Sequence, residues 1–146
     1  MLMRPADGDA LATTTPGALR VLVLVLDDEN IILELLGEFL HRDGYDAVNA
    51  MSVEEAEDLL QDTPLEAVIL DVRLLGSRKS GLDVLRSVRQ RPGLIQTPAI
   101  ILTGGVLSDE EQLAVKKHRA YVFHKLEGFA SLMGFLKQLT CRDQPR

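Results

Sequence analysis

Four short apolar runs, each ending in a side chain able to engage phosphate or metal, constrain this chain more than any other feature. Val21-Leu22-Val23-Leu24-Val25-Leu26 runs into Asp27-Asp28, Ala67-Val68-Ile69-Leu70 into Asp71, and Ala99-Ile100-Ile101-Leu102 into Thr103. Tyr121-Val122-Phe123 leads through His124 to Lys125. Each run has the length and continuity of a strand buried on both faces, the pattern of a parallel sheet. In such a sheet the C-terminal strand ends share one edge, where ligands of open α/β folds bind. Three carboxylates, a hydroxyl and an ammonium then converge in one crevice. That is a phosphoryl-transfer site in outline.

Helix signals fill the intervals. Asn30 is expected to cap a helix whose apolar residues Ile32, Leu35, Leu36, Phe39 and Leu40 fall at helical spacing. Tyr45-Asp46-Ala47-Val48 reads as a short edge strand. Ser52-Val53-Glu54-Glu55 has the form of a capping box and opens a second helix, which Pro64 ends. Gly81 precedes a helix carrying Leu82, Leu85 and Val88, closed near Pro92-Gly93. Ser108-Asp109-Glu110-Glu111 is another capping box, before a helix with a thin apolar face. The last helix runs roughly from Phe129 to Leu139, with Leu132, Met133 and Leu136 inward. Five such units predict a doubly wound (βα)5 three-layer α/β sandwich. The expected organisation is a loose arm over 1–19, one domain over 20–140 and a short tail over 141–146.

Composition narrows the function classes. A chain of 146 residues, 46% hydrophobic and 26% charged, fits one soluble globular domain. Its net charge of −6, with no convincing basic stripe, argues against direct DNA binding. The longest aliphatic run is six residues, far short of the roughly 20 that cross a bilayer. Met1-Leu2-Met3-Arg4 leads into no apolar signal core, and the starting Met with the loose arm leans toward a natural N-terminus. Cys141 stands alone, so no disulfide or zinc set is expected and a cytoplasmic setting fits.

The acidic residues point to a cation. Two like charges about 4 Å apart cost roughly 4 kcal/mol at an effective dielectric of 20. Mg²⁺ removes that cost and takes one or two carboxylates plus water and phosphate oxygens. Asp28 and Asp71 are the expected direct ligands, with Asp27 reaching through water. A carboxylate is also an accepted nucleophile toward phosphorus, and Asp71, alone at its strand end, is the natural one. Thr103 can donate its hydroxyl to a phosphate oxygen, and Lys125 supplies a compact positive charge.

The stretches VLVLVLDDENIILELL, AVILDVRLLG with GLDVL, PAIILTGG and AYVFHK together resemble the receiver domain of two-component response regulators. The likeness covers about 20–140, and its marker residues Asp28, Asp71, Thr103 and Lys125 fall in family order. It implies a flavodoxin-like sheet order 2-1-3-4-5 and phosphorylation of Asp71 by the phosphohistidine of a sensor histidine kinase or a histidine phosphotransfer protein. It further implies a Mg²⁺ requirement, the Arg73 backbone carbonyl as a further metal ligand, and output through a downstream protein target. Homodimerisation stays open, with Phe135 on the last helix either marking such a surface or broadening the core face.

Departures from the family pattern are specific. The loop Val72 to Ser80 is longer than usual, with Leu75 in place of a customary proline. Leu126 stands where the family has a proline after a cis bond. A cis bond before a non-proline residue costs roughly 2.5–4 kcal/mol, so a trans bond is expected. Val122 occupies the position of the aromatic that turns inward on activation, so either the Thr103-Gly104-Gly105 loop carries the switch, with the fourth helix as its mobile element, or signalling is weak. Arg78, Lys79, His41 and His118 read as solvated charges, and His124 as a strand-end histidine.

Three function classes follow: a phospho-accepting switch, a pseudo-receiver scaffold that binds partners without phosphorylation, and a Mg²⁺-dependent aspartyl phosphohydrolase. Haloacid-dehalogenase-type hydrolases carry an acidic residue two positions after the nucleophile. Here that position is Arg73, which argues against small-molecule phosphatase activity.

Overall fold

Among the described residues, five parallel strands alternate with five α-helices: β1 (Val21–Leu26), α1 (Asn30–Arg42), β2 (Tyr45–Ala50), α2 (Val53–Asp62), β3 (Ala67–Asp71), α3 (Gly81–Gln90), β4 (Ala99–Thr103), α4 (Asp109–Lys117), β5 (Tyr121–His124) and α5 (Phe129–Thr140). The structure, a computed structural model, describes residues 20–140; the expected arm, the tail and Cys141 lie outside the described residues. The sheet order is β2-β1-β3-β4-β5, the flavodoxin-like 2-1-3-4-5 arrangement, with β2 on one edge as expected.

The apolar runs become strands because their alternate residues feed two cores. Leu24, Leu26, Val68, Leu70 and Ile101 face one side, under Ala56 and Leu60 of α2 and Leu85 and Val88 of α3. Val23, Val25, Ile69, Ile100 and Leu102 face the other, under Leu36 and Leu40 of α1 and Leu132 and Leu136 of α5. Fully burying each such aliphatic side chain is worth about 1.5–3 kcal/mol, which explains why the runs tolerate no polar residue before their ends. Pairing of Leu26 with Leu70, Asp71 with Leu102 and Thr103 with His124 brings the polar ends out along one edge.

Several helix expectations need correction. Asn30 is the first helical residue of α1 rather than its cap; Glu29 takes the cap position without a side-chain bond. The buried stripe of α1 is Leu33, Leu36 and Leu40, while Leu35 is exposed, because apolar residues occur on more than one side of this helix. Ser52 caps α2 through the Glu55 N–H, but the Glu55 carboxylate accepts from Met51 N rather than closing the box on Ser52. The box before α4 forms fully, and a further box joins Ser80 and Asp83 at α3. As expected, α4 is thinly anchored: Val115 is its one buried residue.

Among the described glycines, Gly81 is the one where the helix backbone approaches the sheet too closely for a side chain. A β-carbon there would lie 2.3 Å from the Asp71 carbonyl oxygen and 3.2 Å from Leu70 Cβ. Only glycine lets α3 start against the strand end that carries Asp71. Gly81→Ala is therefore expected to cost at least about 2 kcal/mol of unfolding free energy. Gly37→Ala on α1, where a β-carbon meets nothing within 4 Å, is expected to gain about 0.5–1 kcal/mol. Urea titration of both variants checks the contrast; equal midpoints would contradict the close approach.

Candidate functional site

Asp27 continues β1, and its backbone N–H donates to Ala50 O of β2 at 3.1 Å, which turns the side chain into the crevice. That carboxylate is fully buried. Its Oδ1 accepts the Glu29 N–H at 2.9 Å, tying the crevice to the start of α1. Lys125, just past β5, places its Nζ 3.5 Å from Asp27 Oδ2 and 3.2 Å from Asp71 Oδ2. Asp71 also accepts the Arg73 N–H on Oδ1 at 3.2 Å.

The electrostatics of this cluster follow from one ammonium facing several carboxylates. Burial, then the Asp27 charge, push Asp71 up to about 6, against the pull of Lys125 and the Arg73 N–H. Burial pulls Lys125 down, but the Asp71 and Asp27 charges outweigh it and hold the ammonium above its ordinary range. Asp28 sits half exposed at the mouth, and its Oδ2 accepts the Leu75 N–H at 2.8 Å, fixing the loop after β3.

Asp27, Asp28 and Asp71 each offer an oxygen within 4.8 Å of the others. Three hard carboxylates with a single ammonium leave unbalanced negative charge, a donor set that suits Mg²⁺. The Arg73 backbone adjoins this cluster through its N–H, which donates to Asp71 Oδ1. The Thr103 hydroxyl is turned onto its own loop, donating to Gly105 O at 3.1 Å and accepting from Gly105 N at 3.2 Å. Asp27, Asp28, Asp71 and Lys125 thus come together, with Thr103 at the same strand edge but engaged elsewhere.

Arg73 has a further partner that sequence reasoning missed. Its guanidinium forms a two-pronged ion pair with Glu111 of α4, Nη2 lying 3.0 Å from Oε1. Nη2 also reaches Val106 O at 3.5 Å. The Arg73 hydrogen bond, then the Ser108 N–H, pull Glu111 down to about 2. Neither residue's sequence neighbourhood points to the other, 38 positions away.

The other singled-out residues resolve simply. The Lys125–Leu126 bond is trans, as expected, and Leu126 is 88% exposed. His124 Nδ1 accepts the Leu126 N–H at 3.2 Å, so this strand-end histidine caps the following turn. Val122 is half exposed, whereas Tyr121 and Phe123 both meet the Phe135 ring, at 5.4 and 6.0 Å. Phe135 therefore broadens the core face. His41 and the Arg78-Lys79 loop are exposed, but His118 is half buried; burial, then the charges of Lys117, Arg86, Arg89 and Arg119, lower its pKa. Among the described residues no helix is long and apolar enough to cross a membrane.

Residues 23–135 match the family model described as the response regulator receiver domain. Response regulator RR06 of Streptococcus pneumoniae is 36% identical over 88 residues, covering 60% of this chain and 37% of that protein. The transcriptional regulatory protein AruR of Pseudomonas aeruginosa is 40% identical over 87 residues, covering 56% of this chain and 34% of that one. The chain thus spans about a third of the length of these relatives. In fold it is similar to a CheY-like receiver domain protein from Methanospirillum hungatei, with a TM-score of 0.75 at 20% identity, covering 84% of this chain and 95% of that one. With the five-stranded order, the acidic crevice and the family match in agreement, the chain belongs to the response regulator receiver domains of two-component systems.

Proposed function

We propose that this domain is a phospho-accepting switch in which Asp71 takes a phosphoryl group from a partner phosphohistidine. The observation that carries this reading is the position of Asp71: nearly buried, 3.2 Å from Lys125, and within reach of two further carboxylates. An Asp71 oxygen attacks phosphorus while the P–N bond to the donor imidazole breaks. The bonding electron pair returns to the imidazole nitrogen, which takes up a proton from solvent. Lys125 holds the attacking carboxylate and then faces the new phosphoryl oxygens. Thr103 leaves Gly105 and donates its hydroxyl to one of them. Asp27, Asp28, Asp71 and the Arg73 carbonyl would hold Mg²⁺, which supplies positive charge to the carboxylate cluster and the phosphoryl oxygens. The donor is a sensor histidine kinase or histidine phosphotransfer protein, the receiver of the signal a downstream protein target, and the setting cytoplasmic. Position 73, two residues after Asp71, is an arginine rather than an acidic residue, which argues against turnover of small phosphate esters.

Acetyl phosphate with Mg²⁺ tests the acceptor. Intact mass is expected to rise by one phosphoryl group, and the gain to vanish in Asp71→Asn and in a chelator. No gain, together with no Mg²⁺ binding by titration, would favour a scaffold that keeps the fold without the chemistry.

The same crowding of charge carries a stability cost in metal-free protein. Asp71 binds its proton more tightly folded, at about 6, than at its ordinary 3.8. The stability from protonated Asp71 is thus full below 3.8 and lost as pH rises through 6. In chelator at pH 7.5, Asp71→Asn is expected to unfold about 1–3 kcal/mol harder than wild type, the gap closing below pH 4. Urea melts at the two pH values check this, and a variant no more stable at pH 7.5 would contradict it.

A further inference from the structure

The output route used by the family needs an inward-turning aromatic, and Val122 stands in its place, half exposed. Another connection runs from the site to α4. Arg73 lies two residues beyond Asp71, its N–H already on the Asp71 carboxylate, and its guanidinium spans to Glu111 and to Val106 O. Val106 lies within the segment joining Thr103 to α4, and Glu111 lies in the first turn of that helix. Glu111 in turn accepts the Ser108 N–H at 2.8 Å, closing the first turn of α4.

Resting on the acceptor reading above, we propose that Arg73 is a phosphoryl-contacting residue whose guanidinium passes from Glu111 to the phosphoryl oxygens on Asp71, releasing α4. The clasp has the strength for this task. Arg73 is 56% exposed and Glu111 20%, so the pair stands partly in water, where its bonds can be exchanged for stronger ones. A phosphoryl group on Asp71 replaces one carboxylate charge with nearly two on oxygens that accept the same planar fork. Release has a ready effect because α4 buries only Val115. Once Arg73 leaves, neither Val106 nor Glu111 is tied to the loop after β3.

The experiment uses beryllofluoride with Mg²⁺ as phosphoryl mimic on the ¹⁵N-labelled full chain. Bound fluoride is read by ¹⁹F resonance, and the Arg73 Nε–Hε and the amides of residues 106–112 by ¹⁵N correlation. In wild type the mimic is expected to shift all of these. Glu111→Gln keeps the acceptor for Ser108 N but removes the competing charge. It should bind the mimic about fivefold more tightly or better, the lower end of common coupling strengths. Arg73→Gln should bind it about fivefold more weakly and leave the 106–112 amides unmoved on saturation. Bound fluoride with those amides moving equally in wild type and Arg73→Gln overturns the transfer while leaving the acceptor reading intact. Absence of any bound fluoride in wild type overturns both.

Discussion

One ammonium between two buried carboxylates sets the terms for everything around it. Lys125 Nζ lies 3.2 Å from Asp71 and 3.5 Å from Asp27, and without it the mouth of the sheet would hold uncompensated charge in a dry place. The ammonium balances one negative charge, so the cluster stays short of neutral. Burial, then the Asp27 charge, raises the proton affinity of Asp71, and the deficit leaves the crevice receptive to a cation. A fully neutralised cluster would be more stable and less useful, the usual tension at sites whose charges are set for chemistry.

The fold supplies this arrangement through two kinds of constraint. Parallel pairing puts the strand ends on one edge, and burial on both faces keeps the strands apolar until those ends are reached. Gly81 then lets α3 begin directly against the Asp71 carbonyl, so the strand end that carries Asp71 is held from behind by a helix. Around the rim, backbone N–H groups of Glu29, Leu75 and Arg73 each donate to one of the three carboxylates. The loops after β1 and β3 are thereby shaped by the same oxygens that define the site.

Legibility in the sequence followed the range of each interaction. The strands, their order of chemistry and the crevice residues could be read because each apolar run ends beside its own functional group. The boxes at α4 and the trans bond at Leu126 are likewise local matters. Which face of α1 points inward was not legible, since Leu33 and Leu35 are equally apolar and only packing against the sheet separates them. The Arg73–Glu111 pair was missed for a different reason. Its partners are 38 residues apart, and nothing in either neighbourhood announces the other. Thr103 was read for its part with phosphate, while at rest its hydroxyl serves the Gly105 turn.

That resting posture bears on how such a site could signal. Both groups that would leave their present partners for a phosphoryl group, the Thr103 hydroxyl and the Arg73 guanidinium, hold the segment between β4 and α4. Thr103 grips it at Gly105, and Arg73 at Val106 and Glu111. The helix beyond is anchored by a single buried side chain, so its placement depends on these polar contacts more than on packing. Charge arriving at Asp71 would therefore act on the least anchored helix through its most easily exchanged bonds. No inward turn of an aromatic at position 122 is needed for that, and the valine there ceases to be a defect.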